Sequence, residues 1–175
     1  MGHLKIIVDH EKIDYSGPLD IGNLLRMIEN FLWERGFDKK QDKDFEHSTP
    51  TGKFIEWQIM PWKKISDYTR YHIKVRVLGY DMVKADAVNN GKKTKVDKGR
   101  IIIVIDGFVE NDYDHRWDEK PILQFVRTVY DYFIHKAYTE RFEHMLVHDV
   151  NHLVDHIEKF LNLYRNYSVI SKQGP

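Results

Sequence analysis

In the segment HMLVHDVNHLVDH a histidine falls at every fourth position: His144, His148, His152 and His156. Side chains four apart on an α-helix lie one above the other, so adjacent imidazoles of such a ladder can reach a single metal ion. Asp149 and Asp155 offer carboxylates in the same stretch. The residues between the histidines are Met-Leu-Val, Asp-Val-Asn and Leu-Val-Asp, so there is no HExxH and no metalloprotease base. Leu146, Val150, Leu153 and Ile157 form an apolar stripe beside the ladder. His144, His148 and His152 lie off its centre. His156 drifts toward its edge, because four residues overshoot a turn by about 40°. The expectation is a solvated helix face. Adventitious binding of zinc or nickel is the chemistry it offers beyond that, a pH-sensing surface is a third reading, and no dedicated cofactor is expected.

Three other groups of residues invite a chemical reading. The loop NDYDHRWDE gathers Asp112, Asp114, His115 and Arg116, a set that suits acid–base work or anion binding. It lacks a recognised catalytic spacing, and its acids equally suit a connector leading into a helix N-terminus. The run GKKTKVDKGR carries Lys92, Lys93, Lys95, Lys98 and Arg100 against a single Asp97, and Lys74 and Arg76 stand on a neighbouring strand. Together these seven cations are candidates for contacting nucleic acid. No aromatics are interleaved for base stacking, so a solvated, aggregation-resistant hairpin is favoured and nucleic acid is not the expected partner. Finally, Trp57, Trp62, Tyr68, Tyr71 and Phe108 fall on strands or their connection, where they would line a ligand cavity or fill a core. With no glycine-rich phosphate loop, nucleophile elbow or carboxylate pair, an enzyme is the less favoured reading.

The elements that must position these residues follow from periodicity. HLKIIVDHEKIDY reads as a first strand, and SGPLD as a turn with helix-start residues. IGNLLRMIENFLWERG places Ile21, Leu24, Leu25, Ile28, Phe31 and Leu32 on one helical face, with Gly36 as its stop. From Phe37 to Glu110 the period becomes two. KFIEWQIMPW puts Ile55, Trp57 and Ile59 on one side. YTRYHIKVRVLGY sets Tyr71, Ile73, Val75 and Val77 against His72, Lys74 and Arg76, as in a half-buried antiparallel strand. Asn-Asn-Gly at 89–91 signals a hairpin. GRIIIVIDGFVE is a nearly continuous apolar strand, buried on both faces or central in the sheet, with Gly107 marking a bulge or a close approach.

Pro121 opens a helical pattern that runs to about Tyr167. Its first stripe (Ile122, Phe125, Val126, Val129, Phe133) is out of phase with its second (Phe142, Leu146, Val150, Leu153, Ile157, Phe160, Tyr164). Either the helix breaks near Ala137–Thr139, which the phase favours, or one long helix serves two packing partners. The order predicts an α+β fold: an antiparallel sheet with an N-terminal strand and helix, and a long C-terminal helix on one face. A single domain over 1–167 and a frayed tail over 168–175 are expected.

The composition narrows the function. Formal charge is zero, from 27 basic and 27 acidic residues, so no global electrostatic grip on nucleic acid or membrane is expected. The absence of cysteine excludes disulfides, cysteine zinc sites and thiol catalysis. IIIVI, the longest apolar run, is far short of the roughly 20 residues that span a bilayer. A cytoplasmic protein is the expectation.

The element order, from HLKIIVDHEKIDY through the paired strands to the C-terminal helix, resembles the helix-grip architecture of START and Bet v 1-type domains. ERGF, YTRYHIKV, DYDHRW and VYDYFI are also similar to uncharacterised archaeal proteins. The helix-grip resemblance implies a cavity between sheet and helix for an apolar ligand or partner. The expected function is therefore non-enzymatic binding of an apolar small molecule or a protein partner between the sheet and the C-terminal helices. Self-association is left open. A small enzyme using the 112–116 loop, and an RNA-associated factor using the 92–100 hairpin, are the alternatives.

Overall fold

The first strand, β1 (His3–Leu19), outruns its sequence pattern by passing through Ser16-Gly17-Pro18, which reads as a turn. These three residues instead pair with Arg100, Gly99 and Lys98. Proline is tolerated there because β1 lies at the sheet edge, and the Tyr15 hydroxyl donates to the Pro18 carbonyl at 2.8 Å. The computed structural model describes residues 3–38, 41–50, 52–66, 69–89, 92–111 and 136–169.

Helix α1 (Ile21–Glu34) begins where Asp20 caps it, accepting the Asn23 backbone N–H at 2.9 Å. Leu24, Ile28, Phe31 and Leu32 of the expected stripe are buried. The chain leaves the helix through Gly36 at φ +80°, a conformation that costs glycine little.

There follow β2 (Gln41–Thr49), β3 (Gly52–Ile59), the short β4 (Trp62–Lys64), β5 (Thr69–Asn89) and β6 (Lys92–Asn111). Then come helix α2 (Lys136–Tyr164) and the two-residue β7 (Ser168–Val169). The seven strands make one sheet in the order β1-β6-β5-β3-β2, with β4 and β7 both paired to β5. Every pairing is antiparallel. The fold is α+β, as the order of elements predicts. Asn89 pairs with Lys92, so the β5–β6 hairpin closes across 90–91, where the Asn-Asn-Gly signal placed it. Ser168 and Val169, expected in the frayed tail, pair with Val88 and Ala87.

Alternation sorts the sheet into two faces. Tyr71, Ile73, Val75 and Val77 of β5 stand opposite Val109, Gly107, Ile105 and Ile103 of the interior strand β6, and all are buried. Helix α2 closes this inner face with Leu146, Val150, Leu153, Ile157 and Leu161. Ala137–Thr139 lie within α2, so the helix does not break at those residues. The first stripe, Ile122–Phe133, lies outside the described residues. Gly107 fulfils both of its expected roles. It faces Val8 beside a register shift in β1, and a Cβ built on it would lie 3.3 Å from Val8 Cβ and 3.5 Å from Leu146 Cδ2. No helix among the described residues is long and apolar enough to cross a membrane.

Candidate functional site

The inner layer beneath α2 is where an apolar ligand is expected, and the described residues there are packed shut. Leu146, Val150, Leu153 and Ile157, with Ile73, Ile101, Ile103 and Ile105 facing them, retain no accessible surface. A void large enough for water would leave its lining accessible, so these side chains border none. Trp57 and Tyr71 belong to this core, and the Tyr71 hydroxyl donates to the Phe142 carbonyl of α2 at 2.5 Å. Burial pushes the Tyr71 phenol well above its ordinary value, and the carboxylates of Asp149 and Glu143 add to the shift. The other two cavity candidates sit on the opposite face. Trp62 pairs laterally with His72 and carries the Arg70 guanidinium 4.7 Å over its ring, while Phe108 lies between Ile6 and His72. The four do not line one cavity, and Tyr68 lies outside the described residues.

An apolar pocket opens instead on the flank of α1. Its volume is about 250 Å³, and it is lined by Glu29, Asn30, Leu32, Trp33, Phe37, Ile59 and Pro61. Leu32, Phe37 and Ile59 are buried and form its floor, whereas Trp33 is 74% exposed and stands at its rim. The local fold explains the gap. Helix α1 ends at Glu34, the chain reverses through Gly36, and Asp38 bridges to Trp62, so the helix end and the β3–β4 corner meet only below the surface. The Trp33 indole is thus left in water beside an apolar recess.

The histidine ladder is exposed on α2, apart from a half-buried His152. It brings two of its four members together. The Nε2 atoms of His148 and His152 are 3.1 Å apart. His156 instead donates from Nδ1 to the His152 carbonyl at 2.8 Å, and its ring packs on Phe31 with centroids 4.8 Å apart, the edge position expected from helical drift. Asp149 is committed to Arg35 of the chain just beyond α1, at 2.5 Å. The ladder therefore offers a two-nitrogen bite.

A three-ligand group that the sequence pattern did not single out lies on the outer sheet face. Between the pairs Val8↔Gly107 and Glu11↔Ile105, β1 sets two residues, Asp9 and His10, against one, Asp106. His10 takes φ +54°, which aims its backbone N–H at Asp106 Oδ1, 2.9 Å away. Its ring Nδ1 is hydrogen-bonded to Asp9 Oδ1 and lies 3.5 Å from Asp106 Oδ1. One ligand atom from each residue lies within 4.8 Å of the others. The hydrogen bond to Asp9 and then the charge of Asp106 hold the imidazole above its ordinary 6.5, with Arg76 opposing weakly. Two signals pointed here: consecutive polar residues interrupting the alternation of IIVDHEKI, and the lone charge within IIIVIDGFV.

The basic residues do not gather. Because β6 runs without a bulge, Lys93 and Lys95 project to the face opposite Lys98 and Arg100. Lys74 and Arg76 share the face of Lys98 and Arg100. Arg100 is neutralised by Asp14 at 2.6 and 3.0 Å, and Arg76 donates to Gln58 at 3.2 Å. Nothing is described of the Lys92 side chain, and Asp112, Asp114, His115 and Arg116 lie outside the described residues. No protein-family model, curated protein or solved structure matches the chain.

Proposed function

We propose that the chain is a non-enzymatic binding domain for a small apolar ligand, held in the recess between α1 and the β3–β4 corner rather than beneath α2. The observation that carries this reading is the pocket itself, with its buried floor of Leu32, Phe37 and Ile59 and the exposed Trp33 at its rim. A volume of about 250 Å³, below the usual range for drug-sized ligands, suits a ligand of one or two rings or a short acyl chain. Glu29 and Asn30 provide the polar groups that would orient it. The helix-grip resemblance implies a site between the sheet and the C-terminal helix, whereas this recess lies against the N-terminal helix.

The test is titration with 1-naphthylamine, a neutral, apolar, two-ring fluorophore. Saturable binding at one site per chain is expected, with amide shifts at Phe37, Ile59 and residues 29–33. Trp33→Ala should weaken it at least fivefold while leaving the fold intact. Unsaturable binding, or shifts centred away from this recess, would overturn the reading.

A further inference from the structure

We infer that Asp9, His10 and Asp106 form a binding site for a divalent first-row transition-metal cation. The ligand set is one imidazole nitrogen and two carboxylate oxygens, each able to approach one centre after small side-chain rotations. Metal–ligand bonds of about 2.1 Å place neighbouring donor atoms about 3.0 to 3.4 Å apart in octahedral or tetrahedral geometry. The 3.5 Å between His10 Nδ1 and Asp106 Oδ1 is already close to such an edge.

The surroundings of Asp106 carry the argument beyond the ligand count. Its carboxylate stands in the interior strand β6 with only 12% of the side chain exposed, and among the described residues its partners are the His10 backbone N–H and the His10 ring. Lys74 is directly across the ladder on β5 but makes no ion pair with it among the described residues, and Arg76 is bonded to Gln58. A carboxylate withdrawn this far from water calls for a counter-charge beside it, and a cation held between Asp106, Asp9 and the His10 ring would supply one in place of a protonated imidazole. The mixed nitrogen and oxygen donors favour zinc, cobalt or manganese over magnesium or calcium, which prefer oxygen alone. Three protein ligands leave coordination positions open to water or to an anionic ligand. The histidine ladder, with two ligands, is the weaker competitor.

Zinc titration calorimetry on the full chain carrying His148→Ala and His152→Ala isolates this site. One zinc per chain is expected. Adding His10→Gly, which keeps the left-handed backbone accessible, should weaken binding at least tenfold. Asp106→Asn should do the same where it folds, and His10→Gly decides the matter where it does not. Substoichiometric Mn²⁺ should broaden the amide resonances of residues 8–11 and 105–107. A folded ladder-free variant that binds no zinc, affinity unchanged by His10→Gly, or broadening centred elsewhere would overturn the assignment.

Discussion

The Arg35 guanidinium meets the Asp149 carboxylate at 2.5 Å, tying the end of α1 to the middle of α2. The same guanidinium lies 5.0 Å over the Phe31 ring, so it is held by packing as well as by charge. Asp149 keeps only 13% of its side chain exposed, which makes the pair more than a surface ornament. Arg35→Ala would strand that carboxylate and should cost about 1–3 kcal/mol. Arg35→Lys should recover only part of the loss, because an ammonium lacks the planar fork that stacks and bonds together. Urea unfolding measures both, and a loss below about 0.5 kcal/mol for Arg35→Ala would reduce the pair to an ordinary surface contact.

Tyr71 sets the alkaline limit of the fold. Its phenol is neutral, buried and bonded to the Phe142 carbonyl, with its folded-state pKa raised far above the ordinary 10.0. Burial moves Tyr15 and Tyr164 in the same direction. The unfolded chain releases these protons near pH 10 while the folded chain retains them, so stability is fully present below pH 10 and falls as pH rises beyond it. Denaturant unfolding from pH 8 to 11 should show this decline. Tyr71→Phe should cost about 1 kcal/mol at pH 8 through the lost hydrogen bond, and should flatten the alkaline slope. An unchanged slope would assign the decline to the other tyrosines.

Gly107 of β6 lies against both Val8, beside the β1 bulge, and Leu146 of α2. A methyl group there would meet Val8 Cβ at 3.3 Å and Leu146 Cδ2 at 3.5 Å. The Val8 contact must give by a few tenths of an ångström, so Gly107→Ala should destabilise by no more than about 1 kcal/mol, and Val8→Ala in the same chain should relieve that loss. Thermal melts of the single and double variants test the coupling. Additive losses would show that the two side chains do not compete for this space.

The regular parts of this architecture were legible because burial wrote them into the spacing of apolar residues. Tyr71–Val77 and Leu146–Ile157 each bury one face, and their periods of two and 3.6 are plain in the sequence. β2 carries no such signal, since its described side chains are exposed and the strand is set by pairing with β3. Ser16-Gly17-Pro18 misled in the opposite sense, because the ladder to β6 overrides local turn preference. The Asp9–His10–Asp106 group was hidden for a third reason: a bulge joins residues 96 or more positions apart, and no local pattern states which lone aspartate faces which irregular strand. The apolar recess depends similarly on where α1 ends relative to the β3–β4 corner.

The histidine ladder, finally, is expected to behave as exposed surface with one chelating pair. His148→Ala and His152→Ala should each change stability by about 0.5 kcal/mol or less, as for ordinary surface positions. Their Nε2 atoms are 3.1 Å apart, close to the separation of two nitrogens bound to one ion at about 2.1 Å. Nickel, which suits imidazole donors, should therefore raise the melting temperature of a His10→Gly chain, where the carboxylate-rich site is disabled. The gain should vanish when both His148 and His152 are replaced by alanine, and survive His144→Ala, whose ring takes no part in the bite. A nickel-induced shift that persists in the double variant would place the nickel site elsewhere and leave the ladder as solvated surface.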